Sequence, residues 1–280
     1  MKTILIPVED HDQMASVLET ARFLARAMDS YMEGCAVRPS LGAYVTVEPL
    51  SGVAISDAYR EDAALQAQAQ FESFMQAHGV PRAAGEPAVY SYAWPPTEAA
   101  DDATIGSRGR VFDLIALGRP GPSPQNPRMT PLEAALFDAG KPVLIAPPSA
   151  PTSLGRNILI SWNRSTEQAR TNAFALPLLR AADQVTVLTV EGGSTPGPSL
   201  ADATLHLRRN GVKATALSVK PQGKFSGELT GEITLEHVRS LGCDLLVKGA
   251  YTQSRFRQMI FGGATRHILD NATVPVLMAH

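Results

Sequence analysis

Asp113-Leu114-Ile115-Ala116-Leu117-Gly118 and Asp244-Leu245-Leu246-Val247-Lys248-Gly249 spell one pattern twice: an acidic residue, an apolar run and a glycine. A proline follows each glycine, Pro142 after 24 residues and Pro275 after 26. Each proline opens a last apolar run, Pro142-Val143-Leu144-Ile145-Ala146 in one case and Pro275-Val276-Leu277-Met278-Ala279 in the other. Upstream, Thr3-Ile4-Leu5-Ile6-Pro7-Val8 matches Asn157-Ile158-Leu159-Ile160-Ser161-Trp162. Three landmarks in one order identify a tandem duplication.

Between the landmarks, strand and helix patterns alternate. The first copy reads as strands 3–8, 31–37, 86–92, 112–117 and 142–146 with helices 13–29, 57–78, 96–108 and 131–139. The second reads as strands 156–161, 184–190, 214–219, 244–248 and 274–279 with helices 165–182, 198–210, 226–241 and 263–271. Ser165 with Gln168 three residues on has capping-box spacing, and Gln184–Val190 is β-branched at alternate positions. Five strands joined by helical crossovers predict a parallel, doubly wound α/β sheet in each copy. Such sheets are covered on both faces, which accounts for the near-continuous apolar runs. The expected domains are 1–148 and 155–280, joined by Pro147-Pro148-Ser149-Ala150-Pro151-Thr152-Ser153.

The chain has 280 residues, 44% hydrophobic and 19% charged, the composition of a folded globular protein. It has no apolar run of ~18 residues to span a membrane, and no apolar h-region follows Met1. Cys35 and Cys243 stand far apart, so the cytoplasm is the expected compartment. The net charge of −2 hides a division. Residues 1–150 hold 11 Lys and Arg against 18 Asp and Glu, and the remainder 14 against 9, giving −7 and +5. The overall balance gives no reason to expect nucleic-acid binding. An anion belongs more naturally with the second copy.

Ligands of open α/β sheets sit at strand carboxyl ends where the strand order reverses. In the second copy this selects Ser161, Trp162, Asn163 and Arg164, and the segment Gly249 to Thr265. Gly249 allows a tight strand exit. Gly262 and Gly263, ahead of the last helix, leave room and present backbone N–H groups at a positive helix end. Ala264 follows them, Thr265 and Ser254 offer hydroxyls, and Arg255, Arg257 and Arg266 bring positive charge. A flexible glycine loop with solvated arginines is the competing reading. The matching stretch of the first copy, Gly118–Pro131, contains five prolines. They remove donors and fix φ, so a continuous N–H nest is excluded.

These motifs, in this architecture, resemble the universal stress protein family in tandem form, over about residues 2–147 and 156–280. The second copy carries the closer match, in Lys248-Gly249-Ala250-Tyr251-Thr252-Gln253-Ser254-Arg255 and Gly262-Gly263-Ala264-Thr265-Arg266-His267-Ile268-Leu269. Nucleotide-binding members show a glycine, two residues, a glycine, nine residues, then a glycine and a hydroxyl residue. Gly249 and Gly262 fit; Thr252 replaces the second glycine and Gly263 the hydroxyl residue. An acidic residue after the first strand, facing adenine in ATP-binding members, is Asn163 here; the first copy has Glu9 and Asp10. The resemblance implies two flavodoxin-like, five-stranded domains of the adenine nucleotide alpha hydrolase-like kind. It further implies a pseudo-dimer paired through the proline-introduced last strands, with homodimerisation as a further expectation. Its functional implication is a stress-response regulatory or binding protein, not an enzyme, with an ATP or adenine-nucleotide site at Ser161, Trp162, Asn163, Gly249, Thr252, Gly262, Gly263, Ala264 and Thr265. A nucleotide-independent scaffold and a weak ATP-hydrolysing enzyme are the alternatives, and the protein partners and stress signal are open.

Other chemistry lacks support. There is no Gly-x-Ser-x-Gly elbow and no Walker A loop, and the six histidines show no zinc-ligand spacing, so no metal cluster is expected. Trp162 is read as base-stacking or as packing, His267 mainly as packing, and Asp101-Asp102 as a solvated turn. The helix face Phe71, Phe74, Met75 and His78 reads as core.

Overall fold

The computed structural model describes residues 1–37, 57–85, 89–95, 101–223, 225–250 and 262–280, with the backbone alone for 57–61. The first half runs β1 (Thr3–Val8), α1 (Met14–Met28), β2 (Tyr31–Ala36), α2 (Asp57–Ala77), β3 (Ser91–Ala93), α3 (Asp102–Gly109), β4 (Leu114–Gly118), α4 (Met129–Asp138) and β5 (Val143–Ala146). The second runs β6 (Asn157–Ser161), α5 (Thr166–Ala181), β7 (Gln184–Val190), α6 (Leu200–Arg209), β8 (Ala214–Val219), α7 (Gly227–Ser240), β9 (Leu245–Gly249), α8 (Gly263–Asn271) and β10 (Val276–Ala279).

Polar side chains fix where these elements start. Ser165, Ser199 and Ser226 each accept a backbone N–H in the first turn of α5, α6 and α7, and Asp101 does the same for α3. The repeated acidic residue also has a physical reason. Asp244 accepts from the N–H groups of Gly155, Arg156 and Asn157 and from the Ser153 hydroxyl, fastening the start of β6 beside β9. Asp113 does the same for β1 through the N–H groups of Lys2 and Thr3.

Strand order is β3-β2-β1-β4-β5-β10-β9-β6-β7-β8, one ten-stranded sheet. Each half is parallel and has the same internal order. The halves meet where β10 lies antiparallel to β5, with Val276, Leu277 and Met278 opposite Ile145, Leu144 and Val143. The expected pairing of last strands is thus present within one chain. Alternate strand residues enter two core layers: Ile4, Ile6, Ile158 and Val247 on one face, and Leu5, Leu117, Leu159 and Met278 on the other, under α3, α4, α7 and α8.

Some boundaries differ from expectation. Helix α4 starts at Met129, because Pro131 falls in its first turn where an N–H is not needed. Strand β3 is limited to Ser91–Ala93, the three residues that pair with Tyr31–Glu33. The start of the helix expected at 96–108 and the long segment Pro39–Ser56 lie outside the described residues.

Candidate site at the strand order reversal

In the second half the strand order reverses between β6 and β9, which are neighbours, with Ile160 opposite Val247. Ser161 and Gly249 end these adjacent strands. Helices that cross over between parallel strands run antiparallel to them, so the N-termini of α7 and α8 lie at this same edge. The sequence-selected residues Ser161, Asn163, Gly249, Gly262, Gly263 and Ala264 therefore belong to one end of the sheet.

Gly249 is required for close approach, not for an unusual strand exit. A Cβ there would lie 2.5 Å from the backbone nitrogen of Gln168 and 2.8 Å from the carbonyl carbon of Glu167. The fully buried Gln168 side chain accepts from the Gly249 N–H at 2.7 Å and donates to Asn172 at 2.9 Å. Gly262 is the N-cap of α8, at φ −66° and ψ 159°, and among the described residues no side chain caps the helix. Gly263 packs tightly on α7, where a Cβ would come 3.2 Å from the Glu228 nitrogen. Gly231 likewise admits His267: a Cβ would lie 2.8 Å from the histidine Cβ, so His267 is a packing residue.

Three expectations need correction. Trp162 is 6% exposed, sits in the core layer under α5 and α6, and donates its indole N–H to the Pro198 carbonyl at 3.3 Å. It packs the strand end and offers no stacking face. Thr265 is 2% exposed on the inner side of α8, so its hydroxyl faces inward. Asp101-Asp102 is not a solvated turn: Asp101 caps α3 and Asp102 pairs with Arg128 at 2.9 Å. Asn163 is half-buried, and its Oδ1 accepts the Ser165 N–H at 3.1 Å. Thr252, Ser254, Arg255 and Arg257 lie outside the described residues.

Most residues of the cavity at this edge escaped the sequence reading, and Arg164 and Lys248, though named there, were given no role of this kind. Arg164 adopts φ 68° and its Nε is buried without a hydrogen-bond partner among the described residues. It lines a cavity of about 410 Å³ with Thr189, Glu191, Gly192, Ser194, Leu200 and Ser218. Glu191 accepts from the Ser218 hydroxyl at 3.3 Å. Lys248, the last residue before Gly249, is 4% exposed, and burial pushes its pKa down to about 8. The first copy has Leu117 at that position. Setting the copies side by side was the signal: a charge interrupts an otherwise apolar strand.

The same edge of the first half is filled by the protein itself. Arg128, the N-cap of α4, reaches Glu9 after β1 at 2.5 Å and Asp102 at the start of α3 at 2.9 Å. Burial raises the Glu9 pKa, and Arg128 opposes the rise. Gln125 of the proline-rich loop accepts the Asp12 N–H at 3.0 Å. Pro127 lies so close to Gly118 that a Cβ would be 2.4 Å from its ring.

Among the described residues no group of acidic, histidine or cysteine side chains could hold a metal ion. Among the same residues no helix is long and apolar enough to cross a membrane.

Residues 155–280 match the model of the universal stress protein family. Solved structures share the whole architecture. A universal stress protein from Archaeoglobus fulgidus superimposes with a TM-score of 0.73 at 14% identity, covering 99% of this chain and 95% of that one. A putative universal stress protein from Pseudomonas aeruginosa gives 0.56 at 14% identity, covering 100% and 93%. Among curated proteins none matches the chain. The second half, residues 155–280, thus matches the universal stress protein family, and the first half repeats its strand order.

Proposed function

We propose that this chain is a cytoplasmic regulatory or binding protein with a single adenine-nucleotide site, at the β6–β9 edge of its second domain, and no turnover of its own. The reading rests foremost on the contrast between the edges. Arg128 and its carboxylate partners fill the first, whereas the second is headed by a glycine N-cap without a capping side chain among the described residues. An uncapped helix start supplies N–H donors and a positive dipole end, which suits phosphate oxygens. Asn163 keeps its amide N–H groups for a ligand's acceptors while Oδ1 holds the turn. The cavity beside Arg164, on the same edge, adds hydroxyls and a guanidinium. The buried, unpaired Cys35 and Cys243 suit a reducing compartment.

Calorimetric titration with ATP tests the proposal. Saturable binding is expected in the wild type and loss of it in Gly262→Val. The backbone at 262 suits any residue, so the variant should fold, with a small loss of stability because valine is a poorer N-cap than glycine; a thermal melt checks this. Unchanged affinity would move the site elsewhere. The scaffold reading draws on Thr252, which stands where a glycine is expected; absence of any ATP heat in the wild type would favour it. Phosphate release above background would refute the absence of turnover.

A further inference from the structure

Lys248 is the most unusual charge in the molecule. It occupies the place of Leu117, on the sheet face covered by α7 and α8, and its Nζ reaches only the Gly249 carbonyl, at 3.3 Å, among the described residues. No ion pair involves it among those residues, and residues 250–262 contain no Asp or Glu. The closest acid in the first turns of α7 and α8 is Glu228, which is exposed and unpaired with it. Both helices direct their N-termini to this edge, and Gly227 packs on Gly263. A buried ammonium in the layer covered by two helices whose N-termini face this edge, with no carboxylate partner among the described residues, is strongly unfavourable unless an anion arrives. Its depressed pKa still leaves it mostly charged at neutral pH.

We propose that Lys248 is an anion-binding residue: its ammonium, with the N–H groups at the start of α8, binds the phosphate chain of the ligand, and the lysine is retained there at the expense of stability in the ligand-free protein. This rests on the site proposed above and specifies which charge the ligand must meet. It predicts that recognition lies in the phosphates more than in the base.

Titrations of wild type, Lys248→Met and Gly262→Val with ATP, inorganic tripolyphosphate and adenosine test it, each preceded by a thermal melt without ligand. Methionine matches the lysine stem in length and suits the apolar surroundings. Lys248→Met is expected to melt higher than the wild type and to lose affinity for ATP and tripolyphosphate by at least about tenfold, with adenosine unchanged. Tripolyphosphate binding as tight in Lys248→Met as in the wild type overturns the role of Lys248. If Gly262→Val abolishes binding in the same series, the site itself stands and only the lysine's part falls. A wild type that binds neither ATP nor tripolyphosphate overturns both.

Discussion

The carboxyl edges of the two halves are built on one strand order and differ in what occupies them. In the first, Arg128 ties the end of β1 to the starts of α3 and α4, and Pro127 and Gln125 fold over the top. In the second, helix starts meet backbone to backbone at Gly227 and Gly263, and a lone lysine lies beneath. A doubly wound sheet thus offers a ligand crevice by geometry, and side chains decide whether it stays available. Charge follows the same division, −7 where carboxylates hold an internal arginine and +5 in the half that carries the proposed site.

Exchanging the key residues between halves tests the contrast most severely. Leu117→Lys places an ammonium in a layer with no anion site and is expected to cost about 4 kcal/mol in urea unfolding. A cost near zero would show that this position tolerates charge in either half and would remove the case for Lys248. Arg128→Met leaves Glu9 and Asp102 without their cation and is expected to cost about 3 kcal/mol. That cost depends on pH. Glu9 already has a raised pKa, and losing the guanidinium raises it further. For a carboxyl whose folded pKa exceeds its unfolded value, the stabilisation is present below the unfolded value and lost as pH rises through the folded one. The penalty should therefore be largest at pH values above the raised Glu9 pKa and shrink as the pH falls through it; a pH-independent penalty would mean that Arg128 acts by packing alone.

Smaller effects sharpen the comparison. Gly249→Ala drives a methyl into the backbone of α5 and is expected to cost about 2 kcal/mol, against about 1 kcal/mol for Gly118→Ala, where the nearest atoms belong to side chains, the Pro127 ring and Val17. Equal losses would show that the two strand ends are equally tight. Asn163→Asp restores a carboxylate at the edge and is expected to strengthen ATP binding by about threefold, less than 1 kcal/mol, because the Ser165 N–H already engages that side chain. Weaker binding would indicate that the amide N–H groups of Asn163 do the recognising.

The duplication, the alternation of strands with helices and most helices were legible because they depend on local pattern: apolar runs, serine caps and the Asp-to-Gly landmarks. The pairing of β5 with β10 was legible too, since two short proline-introduced edges need partners. The side-chain content of the edges was not. Arg128 and Glu9 are 119 residues apart, and nothing in either neighbourhood announces their contact. Trp162 looked available because it ends a strand; the fold turns it into the core. Thr265 looked like a ligand hydroxyl because it follows two glycines, yet helical periodicity places it with Ile268 on the inner side. Lys248 stood in the quoted motif, and only its burial gives it meaning.

The antiparallel seam has a consequence for how the halves diverged. Had two identical chains met through this strand, every substitution would have appeared twice across a two-fold axis and would have had to suit its own mirror position. Here Leu144 faces Leu277 and Val143 faces Met278 within one polypeptide, so each side can change alone. Freed from self-complementarity, one copy could lose its crevice while the other kept it, and covalent linkage guarantees that the unlike partners always meet one to one.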